Sequence, residues 1–443
     1  MDLTAEHFAS DVQRLGDGMR MGDLFALAKT YDAMEPAEIL KLLHDPVDEV
    51  RLGAVSIMDF QARSKKTSQG RRIELYELTL PLVEPFIISG GTMTHRRSLV
   101  VILHDSEGHR GFGESPPFEL PFYSDETLAS ARHLLQHVLI PRLLGVAIDS
   151  AGAGDPILTH GIRGNRFARA ALDTALWDLE AARRGTGIAQ LLAARLDVPP
   201  ASRIACGVAL GIPQDRSLNT LKLWVEEALT RGYRRVKIKV APGWDSAPVQ
   251  AVREVMAGCG IPLTIDANGS YEWSQHESNL RALDQADLLY IEQPLAPDEL
   301  VGHARLSREL HTPICLDETL HDARAARQIT ELDGPRVWNI KVHRVGGLTE
   351  VCRIYRLAQE FGAKLWAGTM PESGIGSQAA IASAALPGFV YPSDVEPSAR
   401  WFGEDADVID LKMTEDGYMQ VPVTSIESLV DGARLRATTR RVC

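Results

Sequence analysis

Five short apolar runs between Arg235 and Lys341 each carry an ionisable residue inside the run or just after it. In chain order these are Lys237 and Lys239 in RRVKIKVAPGWD, Asp266 in LTIDANGSY, Glu292 in LLYIEQPL, Asp317 in PICLDET and Lys341 in VWNIKVHRVGG. From Lys239 onward the successive intervals are 27, 26, 25 and 24 residues. Three carboxylates gathered at one place repel one another unless a cation neutralises them. A donor set of oxygen alone, without His or Cys, suits a hard ion, Mg²⁺ ahead of Mn²⁺. An amine on either side of such an ion can move a proton if its pKa falls from about 10.4 towards roughly 7 to 8. The chemistry implied is a metal ion flanked by two amine bases.

Positioning these groups requires a repeating scaffold. An interval of about 25 residues is close to one strand, one helix and two short loops, the repeat of a parallel βα barrel. The carrier runs VKIKV, PLTI, LLYI, PICL and VWNIKV are apolar and β-branched, as expected of strands buried on both faces. Between them lie helix-like stretches such as SAPVQAVREVMAGCG, SQHESNLRALDQA, DELVGHARLSREL and DARAARQITEL. In such a barrel the polar residues at the C-terminal strand ends converge on one mouth, so the three acids are expected to meet at a point there. Any one of them alone has a plainer reading. Asp317 beside Glu318, for instance, could be an N-cap pair. Five strand ends in register, bearing both acids and amines, favour a site.

A chain of 443 residues exceeds one small core and suggests two or three domains. Its net charge of −12 argues against a nucleic-acid-binding surface, which would be basic. Cys206, Cys259, Cys315, Cys352 and Cys443 show no metal spacing and read as reduced thiols of a cytoplasmic protein. No run of 18 apolar residues suggests a membrane span.

Residues 1–70 differ from the rest, with apolar residues at helical spacing (Ile39, Leu42, Leu43, Val47, Val50, Val55, Met58) and a break at Asp45-Pro46. Residues 71–200 read as α+β: IELYELTLPLV alternates, SLVVILHDSEGHRGFGES turns at Ser106 to Gly108, and NRFARAALDTALWDLEAARRG is an amphipathic helix ended by Gly185. The barrel is expected over 201–385, beginning with a strand in RIACGVALGI. Beyond Leu386 the sequence departs from a barrel repeat, and residues 386–443 read as short strands returning to the 71–200 domain.

The stretches KIKVAPGWD, IDANGSY, YIEQPL, ICLDET, NIKVHRVGGL and GTMPESGIG resemble the enolase superfamily, in its muconate-lactonizing subgroup and its o-succinylbenzoate synthase / N-acylamino acid racemase branch. The likeness runs from about Ile73 to Pro422. It implies a modified TIM barrel, (β/α)7β, with an α+β capping domain, here carrying an N-terminal helical appendage. It further implies that Asp266, Glu292 and Asp317 hold Mg²⁺, with Mn²⁺ as substitute, and that Lys239 and Lys341 are the acid/base pair with Lys237 auxiliary. Loops at Glu84 to Met93 and Ser115 to Glu126 resemble mobile loops that close over the mouth. Through them and the motifs, Phe86, Tyr123, Asn268, Gly368, Thr369, Met370 and Glu372 are expected substrate contacts. Residues 1–70 resemble a fragment of HEAT-like DNA alkylation repair proteins, too few repeats to carry that activity.

The activity implied is removal of a proton α to a carboxylate, giving o-succinylbenzoate synthesis for menaquinone, N-acylamino acid racemisation, or both. Another racemase, epimerase or cycloisomerase of the subgroup is the alternative. A non-catalytic scaffold is disfavoured because all three acids and both opposed lysines are present. The partner expected is a small carboxylate, with no nucleic acid or membrane, in a homo-oligomer.

Overall fold

The computed structural model describes residues 72–88, 91–144, 146, 148 and 150–443, and of the first 71 residues only 4–15, 27, 30, 31, 34, 36–42, 50 and 57. Within the last group, helices Ala5–Leu15 and Pro36–Leu42 share a small core of their own around Phe8, Val12, Tyr31, Met34 and Ile39. Most of the expected repeat-like segment after Asp45 lies outside the described residues.

Two β systems form the rest. Strands β1 (Arg72–Ile88), β2 (Gly91–His104) and β3 (Arg110–Ser115) make an antiparallel meander. The β2–β3 hairpin turns at Ser106 to Gly108, where Asp105 accepts the backbone N–H groups of Glu107 and His109. The helix Arg166–Arg184 packs on this meander and ends at Gly185, in the left-handed region (φ 61°). Both of its buried acids tie it to other elements. Asp173 accepts the N–H of Thr349, and Asp178 accepts those of Phe112 and Ile426.

The second system is parallel and runs in chain order: β5 (Val208–Leu210), β6 (Val236–Lys239), β7 (Leu263–Asp266), β8 (Ile291–Glu292), β9 (Ile314–Leu316), β10 (Val337–Ile340) and β11 (Lys364–Ala367). Helices at Leu218–Thr230, Ser246–Val255, Trp273–Leu283, Leu300–Glu309, Ala323–Glu331 and Leu348–Phe361 connect them. Strand residues such as Val236, Ile238, Leu263, Ile265 and Ile291 are fully buried. Each such side chain contributes about 1.5–3 kcal/mol on leaving water.

Within RIACGVALGI, Arg203–Ala205 (β4) pairs antiparallel with Tyr418–Gln420 (β12), and Val208–Leu210 opens the parallel sheet. The break falls at Gly207, where a Cβ would stand 2.2 Å from the buried guanidinium of Arg235. The segment after Leu386 does not leave the barrel at once. Val390 and Asp394 donate to Leu365 and Ala367 of β11, while Ser393 donates to Ala205 and accepts from Gly207. Residues 389–394 are therefore an irregular eighth stave that closes the sheet between β11 and β5, disguised in the sequence by Pro392. After β12 the chain does return to the meander, where β13 (Thr439–Arg441) pairs with β1. Among the described residues no helix is long and apolar enough to cross a membrane.

Candidate active site

Because the seven strands are parallel, their C-terminal ends lie together at one end of the sheet. Lys239 and Asp266 are register partners on β6 and β7, and Asp266 and Glu292 on β7 and β8. Asp317 directly follows β9 and Lys341 directly follows β10. The three acids thus occupy three neighbouring positions, with a lysine on each outer side. Lys237, two residues before Lys239, points to the same face of β6. Asp266, Glu292 and Asp317 are 2%, 0% and 0% exposed, which makes pairing obligatory.

Each acid has its own cationic partner. Lys239 Nζ lies 2.6 Å from Asp266 Oδ2. Lys237 Nζ lies 2.9 Å from Glu292 Oε2, whose other oxygen accepts Asn339 Nδ2 at 2.8 Å. Lys341 Nζ lies 2.9 Å from Asp317 Oδ2, and Arg344 donates to Asp317 Oδ1. Asp317 is fixed from behind by Gln293, whose side-chain oxygen accepts the N–H groups of Asp317 and Thr319 at 3.0 and 3.2 Å. Gln293 in turn packs beside buried His303, which receives the Leu295 N–H on Nε2 while its Nδ1 faces the Glu299 carbonyl.

The electrostatics follow from burial and neighbours. Burial, and then the charge of Asp266, push Glu292 up to about 8. Burial and Asp317 together raise Glu318 to about 7. Asp317 goes the other way: burial alone would raise it, but Arg344 and Lys341 hold it well below the usual carboxylate range. Burial would lower Lys341, and Asp317 more than offsets this, keeping it well above an ordinary lysine.

The three carboxylates do not meet at a point. Among the described residues the set of three ligand-type side chains with donor atoms within 4.8 Å of one another is Asp105, Glu107 and His109, at the β2–β3 turn. The strand-end acids are interleaved with ammonium and guanidinium groups, and Lys237 Nζ reaches two of them, Glu292 Oε2 at 2.9 Å and Asp266 Oδ2 at 3.8 Å. Their chemistry nevertheless fits a hard divalent ion: three buried oxygen donors, one of them resisting ionisation for want of more positive charge. At the hairpin turn, by contrast, Asp105 is already occupied by two backbone N–H groups, His109 and Arg183.

Of the expected substrate contacts, Tyr123 reaches furthest into the site. Its hydroxyl accepts from Lys341 at 3.0 Å and Arg344 at 3.2 Å. The Asn268 side chain accepts from Lys239 and donates to Glu318 Oε1 at 2.9 Å, from a backbone with φ 42°. Gly368 donates to Ile340 O at the end of β10, and Thr369 Oγ1 donates to Asp394 O. Met370 is buried with Phe118 and Phe167, and its N–H is taken by Glu372. Glu372 is therefore held within its own turn. The backbone of Phe86 lies in β1, but its side chain is outside the described residues.

Three contributors escaped the sequence reading. Asp394, on the eighth stave, lies 2.6 Å from Lys237 Nζ and also pairs with Arg235. Arg344, within NIKVHRVGGL, holds both Asp317 and Tyr123. Asn339 was hidden in an apolar strand. For Arg344 a signal existed: the pair Gly346 and Gly347, with φ of 105° and 117°, ends the short helix Val342–Val345 that carries it. A Cβ on Gly347 would strike Asp173 at 2.4 Å.

Comparison with known proteins gives independent evidence. Residues 72–193 match the model for the mandelate racemase / muconate lactonizing enzyme N-terminal domain, and residues 221–425 that for an enolase C-terminal domain-like family. The chain is 42% identical over 349 residues to N-succinylamino acid racemase of Thermus thermophilus, covering 79% of this chain and 91% of that protein. It is 37% identical over 351 residues to o-succinylbenzoate synthase of Bacillus subtilis, with the same coverage of both. A solved enolase-superfamily structure from Enterococcus faecalis superposes with a TM-score of 0.76 at 34% identity, covering 84% of this chain and 98% of that one. Muconate lactonizing enzyme from Pseudomonas putida shares the fold at 22% identity, with a TM-score of 0.75 and coverage of 84% and 100%.

Proposed function

Since the chain belongs to the enolase superfamily, with the two domains of its mandelate racemase / muconate lactonizing members, we propose that it removes the proton α to the carboxylate of a small acid, acting as an o-succinylbenzoate synthase, an N-acylamino acid racemase, or both. The observation that carries this reading is the order of groups across the mouth: lysine, three acids, lysine, on five consecutive strands. A relative of each name matches over 79% of the chain, which supports keeping both activities.

Asp266, Glu292 and Asp317 would hold Mg²⁺, with Mn²⁺ as substitute. When bound, the ion supplies positive charge beside a carboxylate that gains negative charge as the α-proton leaves. The residues do the rest. Lys239, on β6, accepts the proton. In the dehydration Lys239 passes that proton to the hydroxyl leaving from the same face, so that the C–O bond breaks, a C=C bond forms and water leaves, while Lys341, on the far side, stays cationic. In the racemisation Lys341 returns a proton to the opposite face. Lys237 is charge support for Lys239, and Asp394 keeps it in place. Tyr123 and Met370 contribute to the wall over the mouth, where exclusion of water strengthens every charge interaction.

The test is α-hydrogen exchange in D₂O with Mg²⁺, across N-acyl amino acids and the hydroxylated cyclohexadiene carboxylate that dehydrates to o-succinylbenzoate. Deuterium gain without net change identifies a racemase, and loss of water identifies a synthase. No exchange and no dehydration with any of them, from folded protein, would leave the scaffold reading standing instead.

A further inference from the structure

Beside the mouth, behind the turn that follows β11, lies a small cavity with Thr369, Glu372, Ser377, Asp394, Glu396 and Asp407 on its wall. It is about the size of one water molecule. Most of its acidic oxygens have work elsewhere. Asp394 pairs with Arg235 and Lys237, and Asp407 accepts the Gly374 N–H and the Ser398 hydroxyl. Glu372 Oε2 takes the Met370 N–H at 2.7 Å, and Glu396 Oε1 takes that of Ala209 at 3.3 Å.

Two oxygens remain. Glu372 Oε1 and Glu396 Oε2 are buried with no hydrogen-bond partner among the described residues. Their side chains are 1% and 2% exposed. The nearest cationic groups are Arg400 Nε, 3.4 Å from Glu396 Oε2 but not hydrogen-bonded to it, and His343 Nδ1, 3.9 Å from Glu372 Oε1. Arg96 lies on the Glu372 side but spends its donors on the carbonyls of Pro371, Arg97, Pro116 and Pro117. Leaving a buried charged oxygen unsatisfied costs more than about 1–3 kcal/mol.

We propose that this cavity binds one monovalent cation of about the size of K⁺, between Glu372 Oε1 and Glu396 Oε2, with wall hydroxyls as neutral ligands. The donors are all oxygen, which suits a hard ion. A cavity of this size leaves no room for the several waters that Mg²⁺ usually keeps, and two free carboxylate oxygens among the described residues are few for the roughly six to eight oxygens that Ca²⁺ takes. Burial also pushes both Glu372 and Glu396 up to about 7. The ion would brace the Gly368–Glu372 turn against the stave that bears Asp394. The site does not depend on which reaction the enzyme performs.

Crystals of the full chain soaked in thallium(I) acetate, a K⁺ mimic, are expected to show an anomalous peak between these two oxygens. In solution, replacing N-methylglucamine acetate by potassium acetate at equal ionic strength and pH 8 is expected to raise the melting midpoint by about 2 °C. Glu396→Gln should abolish that increment. A cavity that takes up water alone, with no anomalous signal and no midpoint difference in the wild-type protein, overturns the proposal. The crystal result decides if Glu396→Gln does not fold.

Discussion

Glu114, on the last strand of the meander, accepts the backbone N–H of Gly376 at 2.9 Å, in the first turn of the barrel helix Gly374–Ala384. Its other oxygen takes the Ser373 N–H at 3.2 Å. A fully buried carboxylate of one domain thus caps a helix of the other, immediately after the turn expected to touch substrate. Negative charge at a helix N-terminus is favourable, and burial strengthens the effect.

Replacing Glu114 by Ala leaves those N–H groups unpaired in the interior. Stability should fall by about 2–3 kcal/mol in urea unfolding, with KM rising more than kcat falls. Unchanged stability would mean that the interface is held elsewhere.

Lys341 can be probed for its two roles separately. Arginine keeps the charge but does not release a proton near neutral pH. Lys341→Arg should therefore lose racemisation by about a hundredfold or more while keeping measurable dehydration, and Lys341→Ala should lose both. Equal loss of both activities in the arginine variant would argue that the ammonium is needed as an acid in each.

Chelation by EDTA should abolish exchange, and added Mg²⁺ should restore it. Asp317→Asn should weaken Mg²⁺ binding in titration calorimetry, because it removes one charge from the donor set while Arg344 and Lys341 remain. Exchange that survives full chelation would remove the ion from the reaction.

The contribution of the buried histidines to acid stability has a predictable sign. Burial lowers His303 to about 4, and its two nitrogens are arranged as a neutral ring requires. A histidine depressed in the folded state contributes its full stability above the unfolded value of about 6.5, and loses it as pH falls towards about 4. The loss is at most about 3 kcal/mol from this group. His343, lowered by burial and Arg96 to about 3, adds to it. Glu292, Glu318, Glu372 and Glu396, raised by burial, work in the opposite direction over this range, so the expected result is a difference: from pH 7.5 to 4.5 the urea midpoint of His303→Gln should gain on that of the wild type. Parallel slopes would exclude His303 as the titrating group.

The sequence made the strand-end groups legible because each rides on its own βα unit, so that chemistry and periodicity coincide. Asp394 was not legible for the opposite reason: its partners Arg235 and Lys237 lie far back in the chain, and the stave that carries it has no helical or strand period. The break at Gly207 was equally invisible, since it answers to the Arg235 guanidinium, a contact that exists only once the barrel has closed. Asp173 and Asp178 sit in a helix whose alternation of apolar and polar residues looks ordinary, and only the fold shows that their side chains bind backbone groups of other elements.

The pairing of β13 with β1 bears on how the molecule is made. A ribosome releases Thr439 to Arg441 long after β1 to β3, so the meander must wait through synthesis of the whole barrel with one side of β1 unpaired. An open edge of that kind invites pairing with other chains. Completion of the sheet therefore follows synthesis of the whole barrel, and nascent chains stalled inside the barrel would be the ones most in need of chaperones.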